Sequence, residues 1–238
     1  MSLLKHPTPY LLAGCLVMAA TNVAVAAPIL FTQSEYTAFA SAELGAEIDG
    51  PVALSSPPST LPLIASANLS NGSNSSFGTG LTNEGLLVAT TQAFSLGSFA
   101  SGVAGAGFSG EFIGTGEQVN FSIDFSSFHN VINGLADAQL FVTLVSDGTT
   151  LFDEIFSSSQ RVQESFTLGL GSTNLFDFQL ISNADALGSA TNPGLGFNLA
   201  TASFSVSAVP EPGMAWLMLA GIGLVGWARR KAVRAAIS

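Results

Sequence analysis

Once its first twenty-six residues are set aside, the 238-residue chain has no cysteine, no lysine and no tryptophan before residue 216, and only one histidine, His129. Each shortage closes a door. Without cysteine the body makes no disulfide, so an apolar core has to hold it together, and about 180 residues suffice for one. One histidine, no cysteine and no H-E-x-x-H leave no zinc or transition-metal ligand set. From Ala27 to Val209 the only basic residue is Arg161, against fifteen acidic ones. Nucleic acid and anionic lipid are bound by neutralising phosphate with Lys and Arg, so neither is an expected partner.

The missing basic residues are at the ends. Lys5 precedes an apolar run from Tyr10 to Ala20, and Ala24, Ala26 and Ala27 supply small residues where a signal peptidase cuts. This is the layout of a secretory signal peptide over residues 1–26. Leu12-Ala13-Gly14-Cys15 competes as a lipobox. The apolar run before Cys15 is too short for a usual h-region and continues past it, so cleavage near Ala26 or Ala27 is expected, which removes the only cysteine.

At the other end Val209-Pro210-Glu211-Pro212-Gly213 is followed by an uncharged run, Met214 to Ala228, and then by Arg229, Arg230, Lys231 and Arg234. Pro210 and Pro212 fix φ and remove two donors, which holds the segment extended and open to a protease or transpeptidase. Gly213 adds a joint. As a helix, residues 214–228 would span only ~22 Å, short of a ~30 Å hydrocarbon core. A buried soluble helix of that length is the competing reading. Gly221, Gly223 and Gly226 weaken it, whereas Trp216 and Trp227 stand near the ends as interfacial aromatics do. The basic tail 229–238 would stay cytoplasmic, leaving everything before it outside.

The order of these parts resembles the C-terminal sorting signal of the PEP-CTERM family, also catalogued as the ice-binding-protein C-terminal domain. The resemblance covers residues 209–238 only. It implies a bacterial envelope and an exosortase that recognises Pro210-Glu211-Pro212. It further implies transient anchoring in the inner membrane, then release or transfer to the cell surface or matrix, commonly with exopolysaccharide and biofilm. The tail beyond the arginines is longer than usual for the family. Ice binding does not follow, since flat Thr-rich repeats are missing.

Between the signals, residues 27–208 read as one mainly β domain. Val119, Phe121, Ile123 and Phe125 alternate with polar residues, as do Phe176, Phe178 and Leu180, and Ala202, Phe204 and Val206. Further strands are expected at 86–94, 108–113, 139–146, 151–156 and 164–170, with Asp147-Gly148 as a hairpin turn. This spacing predicts a single antiparallel, jelly-roll-like sandwich. One N-terminal helix is expected over 32–44, where Tyr36, Phe39 and Ala40 form a stripe. Loops are expected at 55–62 and 68–80.

Candidate chemistry in the body is thin, and no catalytic residue is assigned. Gly105-Ala106-Gly107-Phe108-Ser109-Gly110 fits G-x-G-x-x-G, but strand-like residues follow it where a dinucleotide site needs a helix, so a flexible turn is expected. Nothing selects a serine to partner His129. Calcium needs only oxygen ligands and stays open through Asp124, Asp137, Asp147, Asp177 and Asp185, although no D-x-D-x-D-G spacing occurs. Asp153 and Glu154 are neighbours on a strand and face opposite ways, unsuited to act as a glycosidase pair. The eighteen phenylalanines fall mostly at inward strand positions. The expected role is therefore an exported, non-enzymatic surface or matrix protein, with a carbohydrate- or calcium-binding module as the alternative. N-terminal sequencing of the exported protein should begin at Ala27 or Pro28; a start at a lipidated Cys15 would overturn that cleavage.

Overall fold

In a computed structural model, the described residues are 29–57, 61–116, 118–209 and Ile222. The signal-peptide positions, Pro210 to Gly213, Trp216, Trp227 and the basic tail lie outside them. Residues Pro28–Ser207 form one compact unit. Among the described residues no helix is long and apolar enough to cross a membrane.

Among the described residues, twelve strands make two six-stranded sheets. The first contains β1 (Gln33–Leu44), β2 (Glu47–Ser56), β6 (Phe99–Thr115), β8 (Gly134–Ser146), β9 (Thr149–Phe156) and β11 (Leu170–Leu187), in the order β2-β1-β6-β11-β8-β9. The second contains β3 (Leu63–Ser70), β4 (Asn74–Asn83), β5 (Leu86–Ser95), β7 (Gln118–Ile132), β10 (Gln160–Thr167) and β12 (Gly194–Ala208), in the order β10-β7-β12-β5-β4-β3. Every pairing whose register is described is antiparallel. Four hairpins stay within a sheet and the other connections cross between sheets, so the two halves are interwoven along the chain. The β8–β9 turn is the expected one: Asp147 and Gly148 both have positive φ, 47° and 77°, as a type I′ turn requires.

One half of the sandwich is filled by rings. Phe108, Phe176 and Phe178 of the first sheet meet Phe204 of the second at centroid distances of 4.7, 5.3 and 4.9 Å, and Phe176 meets Phe121 at 5.2 Å. Phe112, Phe125, Leu140, Leu144 and Leu180 close the cluster. Burying each such side chain is worth about 1.5–3 kcal/mol, and offset or edge contacts between rings add to that.

The other half holds almost nothing large. Ala38, Ala40 and Ala42 of β1, Ala65 and Ala67 of β3, Ala93 of β5, Ala100 of β6, and Ala184 and Ala186 of β11 are fully buried there. Gly78 and Gly80 of β4 face β6 so closely that an added Cβ would strike the carbonyl oxygens of Val103 and Gly105; a Cβ at Gly80 would also lie 2.8 Å from Phe39 O. Face-packed sheets ordinarily stand ~10 Å apart, and here the spacing has closed until backbone meets backbone. Short hydroxyls can then bridge the sheets. Ser76 Oγ donates to Ser101 O, Thr82 Oγ1 donates to Thr37 O, and the Thr91 and Ser182 hydroxyls meet at 2.9 Å. Each satisfies polar groups that would otherwise be buried unpaired.

Four expectations need correcting. Residues 32–44 are strand, not helix: Tyr36, Ala38, Ala40, Ala42 and Leu44 alternate inward, and β1 pairs on both sides with β2 and β6. Alanine's helix preference is a few tenths of a kcal/mol per residue and yields to that pairing. Residues 68–80 are not loop but the β3–β4 hairpin around residues 71–73. The G-x-G-x-x-G stretch is not a turn but the middle of β6, and none of its glycines has positive φ. Those glycines make room: Phe39 lies over Gly105, Thr37 Oγ1 over Gly107, and Phe31 over Gly110. The strand expected at 164–170 is β10, ending at Thr167, with β11 beginning at Leu170.

The two halves should fail in opposite ways. Phe178→Ala is expected to cost about 3–5 kcal/mol by opening a cavity, and Gly80→Ala about 3 kcal/mol by overpacking. Chemical denaturation checks both; a tolerated Gly80→Ala would disprove the close approach.

Candidate functional site

Period-two alternation gives each sheet an outer face, and the two faces differ in chemistry. Outside the first sheet stand Glu35 and Glu43 of β1, Glu111 of β6, Asp137 of β8, Asp153 of β9, and Asp177 and Asp185 of β11. Outside the second sheet, β3, β4, β5 and β12 carry no charged residue anywhere in their length. Here the small residues turn inward and the large ones outward: Ser76, Gly78 and Gly80 are buried, while Phe77, Thr79 and Leu81 face out. The same inversion on β12 buries Gly194, Gly196 and Asn198 beneath Leu195, Phe197 and Leu199.

Register assembles these outward residues into a row. Phe197 pairs with Gln92, Gln92 with Phe77, and Phe77 with Asn68. Phe128 of β7, 63% exposed, extends the row by an edge contact to Phe197 at 6.3 Å. The result is a strip of three rings and two amides across five strands, with no charged side chain in the row itself; at its β3 end the Asp49 carboxylate accepts from Asn68 N at 2.8 Å. Assigning the phenylalanines to the core missed it, since Phe77 fell in a segment expected to be loop. The signal was the large–small alternation of β4 read with the opposite sense.

Two hollows lie elsewhere. A groove of about 410 Å³ is lined by Glu35, Ser55, Ser109, Glu111 and Leu175 among others, and Ser55 Oγ donates to Glu35 Oε1 within it. A second, of about 230 Å³, collects His129, Asp137, Ser127 and Ser157 to Ser159. No hydrogen bond joins His129 to any of these. Ser159 Oγ is instead engaged with the Ser127 backbone, accepting from its N–H at 2.9 Å. Ser127 Oγ donates to Asn198 Oδ1 at 3.3 Å.

The aspartates considered for calcium are dispersed. Asp124 stands opposite Arg161 on the β7–β10 ladder. Asp147 Oδ1 accepts from Thr173 N at 2.8 Å and secures its turn. Asp137 accepts from Asn183 Nδ2 at 3.5 Å, and Asp153 from Thr143 Oγ1 at 3.0 Å. Among the described residues no group of three or more His, Cys, Asp or Glu side chains could hold a metal ion. Burial pushes the Asp177 carboxyl above its ordinary value, outweighing the Phe178 N–H that lowers it. Burial, then the nearby charge of Glu84, raises the Tyr36 hydroxyl likewise. Of the sorting residues only Val209 is described, one position beyond the end of β12.

Residues 208–234 match the family model described as the PEP-CTERM protein-sorting motif, so the chain carries that signal directly after its last strand. The match starts one residue before the expected boundary and ends at Arg234. The motif implies an exosortase as processing partner. A search of curated proteins found no match. Among solved structures, the N-terminal cellulose-binding domain of Cellulomonas fimi β-1,4-glucanase C is 15% identical, covering 56% of this chain and 84% of its own, at a TM-score of 0.29. A carbohydrate-binding module CBM36, solved with calcium and xylotriose, is 14% identical over 61% of this chain and 94% of its own, at 0.19. A CBM61 module in complex with β-1,4-galactotriose is 10% identical over 55% and 86%, at 0.25. Scores this low leave this chain's ligand to be argued from its own residues.

Asp177 generates a pH prediction. A carboxyl raised in the folded state binds its proton more tightly there than in the unfolded chain, so its ionisation costs stability as pH rises from 3.8 through the raised value. Asp177→Asn keeps the acceptor for Phe178 N–H and removes that cost. The variant should be the more stable at pH 7 and converge with the wild type near pH 3, as read by urea unfolding at the two pH values.

Proposed function

We propose that this chain is an exported, non-enzymatic surface or extracellular-matrix protein, associated with exopolysaccharide and sorted by an exosortase at Pro210-Glu211-Pro212. Residues 1–26 are the signal peptide, 27–208 the exported sandwich and 209–238 the sorting signal. Within that signal, 214–228 hold the chain in the inner membrane and the tail from Arg229 stops transfer. The carrying observation is the sorting-motif match over 208–234, abutting the last strand at Ala208. In sequence, Pro210 and Pro212 of that segment fix φ and remove two donors.

The non-enzymatic reading rests on the sequence, where His129 is the only histidine after residue 26 and no motif selects a serine to partner it. Nucleophile and base within hydrogen-bond reach are what acyl transfer requires. The alternative for the body is a carbohydrate- or calcium-binding module. The dispersed aspartates speak against its calcium half, and the charge-free stretch of β3, β4, β5 and β12 favours its carbohydrate half.

The sorting claim is tested by replacing Pro210, Glu211 and Pro212 together with alanine. The wild-type protein recovered outside the cell should lack the C-terminal helix and tail by mass spectrometry. The triple variant should accumulate uncut in the membrane fraction. Extracellular wild-type protein with an intact Ser238 would overturn the proposal.

A further inference from the structure

The geometry points to the outer face of the second sheet, where β3, β4, β5 and β12 carry no charged residue, as a binding platform for a neutral, extended polysaccharide chain. Its central row is Phe128, Phe197, Gln92, Phe77 and Asn68, with Phe94 beside it. Adjacent strands are ~4.8 Å apart, so Phe197 and Phe77 stand ~10 Å from each other with the Gln92 amide between them. That is comparable to the repeat of an extended glycan, which presents C–H-rich ring faces in alternation with hydroxyls. Rings cover the former and amides pair with the latter.

Charge selects the class of partner. A chain of net charge −10 has seven acids outside the first sheet and none on β3, β4, β5 or β12. An anionic polymer would be repelled by the molecule as a whole and would find no cation on these four strands, since Arg161 lies at the β10 edge opposite Asp124. A neutral polymer pays no such penalty. A second copy fits less well, because the cores of stable protein interfaces are predominantly apolar, and the Gln92 and Asn68 amides interrupt this row. The rings stand outside because the sheets are too close to accept them, which makes the platform rigid before any ligand arrives.

The inference rests on the reading that the body reaches exopolysaccharide, but binding and location are read by separate experiments. Full-length protein in detergent is applied to microcrystalline cellulose and to xylan, with alginate as the anionic contrast. Retention is expected on at least one neutral polymer and not on alginate. Phe77→Ala and Phe197→Ala should each weaken it by about tenfold, and Phe77→Trp should preserve or tighten it. Phe141→Ala, on the opposite outer face, should leave it unchanged. Circular dichroism and Tm identify any variant that has lost its fold, and Gln92→Ala then serves in its place with the same expected weakening. No retention on either neutral polymer, retention indifferent to Phe77 and Phe197, or self-association abolished by the same substitutions would overturn the inference. A protein that binds glucan but keeps its C-terminus would overturn the sorting reading alone.

Discussion

The distance between the two sheets is the constraint on which the rest of this protein depends. In one half of the sandwich, phenylalanines from both sheets interlock around Phe176 and Phe204 and hold the sheets apart. In the other half, Gly78 and Gly80 sit against the β6 backbone, leaving no space for even a methyl group. A single pair of sheets therefore runs from a ring-filled interior to a nearly side-chain-free one. Packing is dense in both halves, by rings in one and by backbone and hydroxyls in the other.

That closeness explains features that composition alone leaves puzzling. The abundance of Ala, Gly, Ser and Thr is not loop chemistry, because these residues line the narrow part of the core. Ser76, Thr82, Thr91 and Ser182 reach across it only because the gap matches a short hydroxyl side chain. Larger residues of the same strands have nowhere to go but outward. Phe39 settles over Gly105 on one face, and Phe77 and Phe197 are displayed on the other.

The two outer faces then serve different ends. Carboxylates on the first keep an exported, lysine-free body solvated and repel anionic surfaces. The second is free of charge across β3, β4, β5 and β12 and bears rings there. Joined in sequence to a C-terminal sorting motif at residues 208–234, the sandwich is a module to be delivered.

How much was legible follows from the same spacing. In the ring-filled half large apolar residues point inward, so Val119 to Phe125 and Phe176 to Leu180 announce their strands by ordinary alternation. In the narrow half the sense is reversed. There the 32–44 segment resembled a helix, 68–80 resembled a loop, and the β6 glycines resembled a turn. The sequence by itself determined the export address, the charge balance, the absence of disulfides and thiolate metal sites, and the mainly β character, because each depends on residue identity or on local period. Only the tertiary structure decided which side of each small-residue strand faces inward and which rings share a row. Both depend on how near a second sheet lies, and no local pattern encodes that distance.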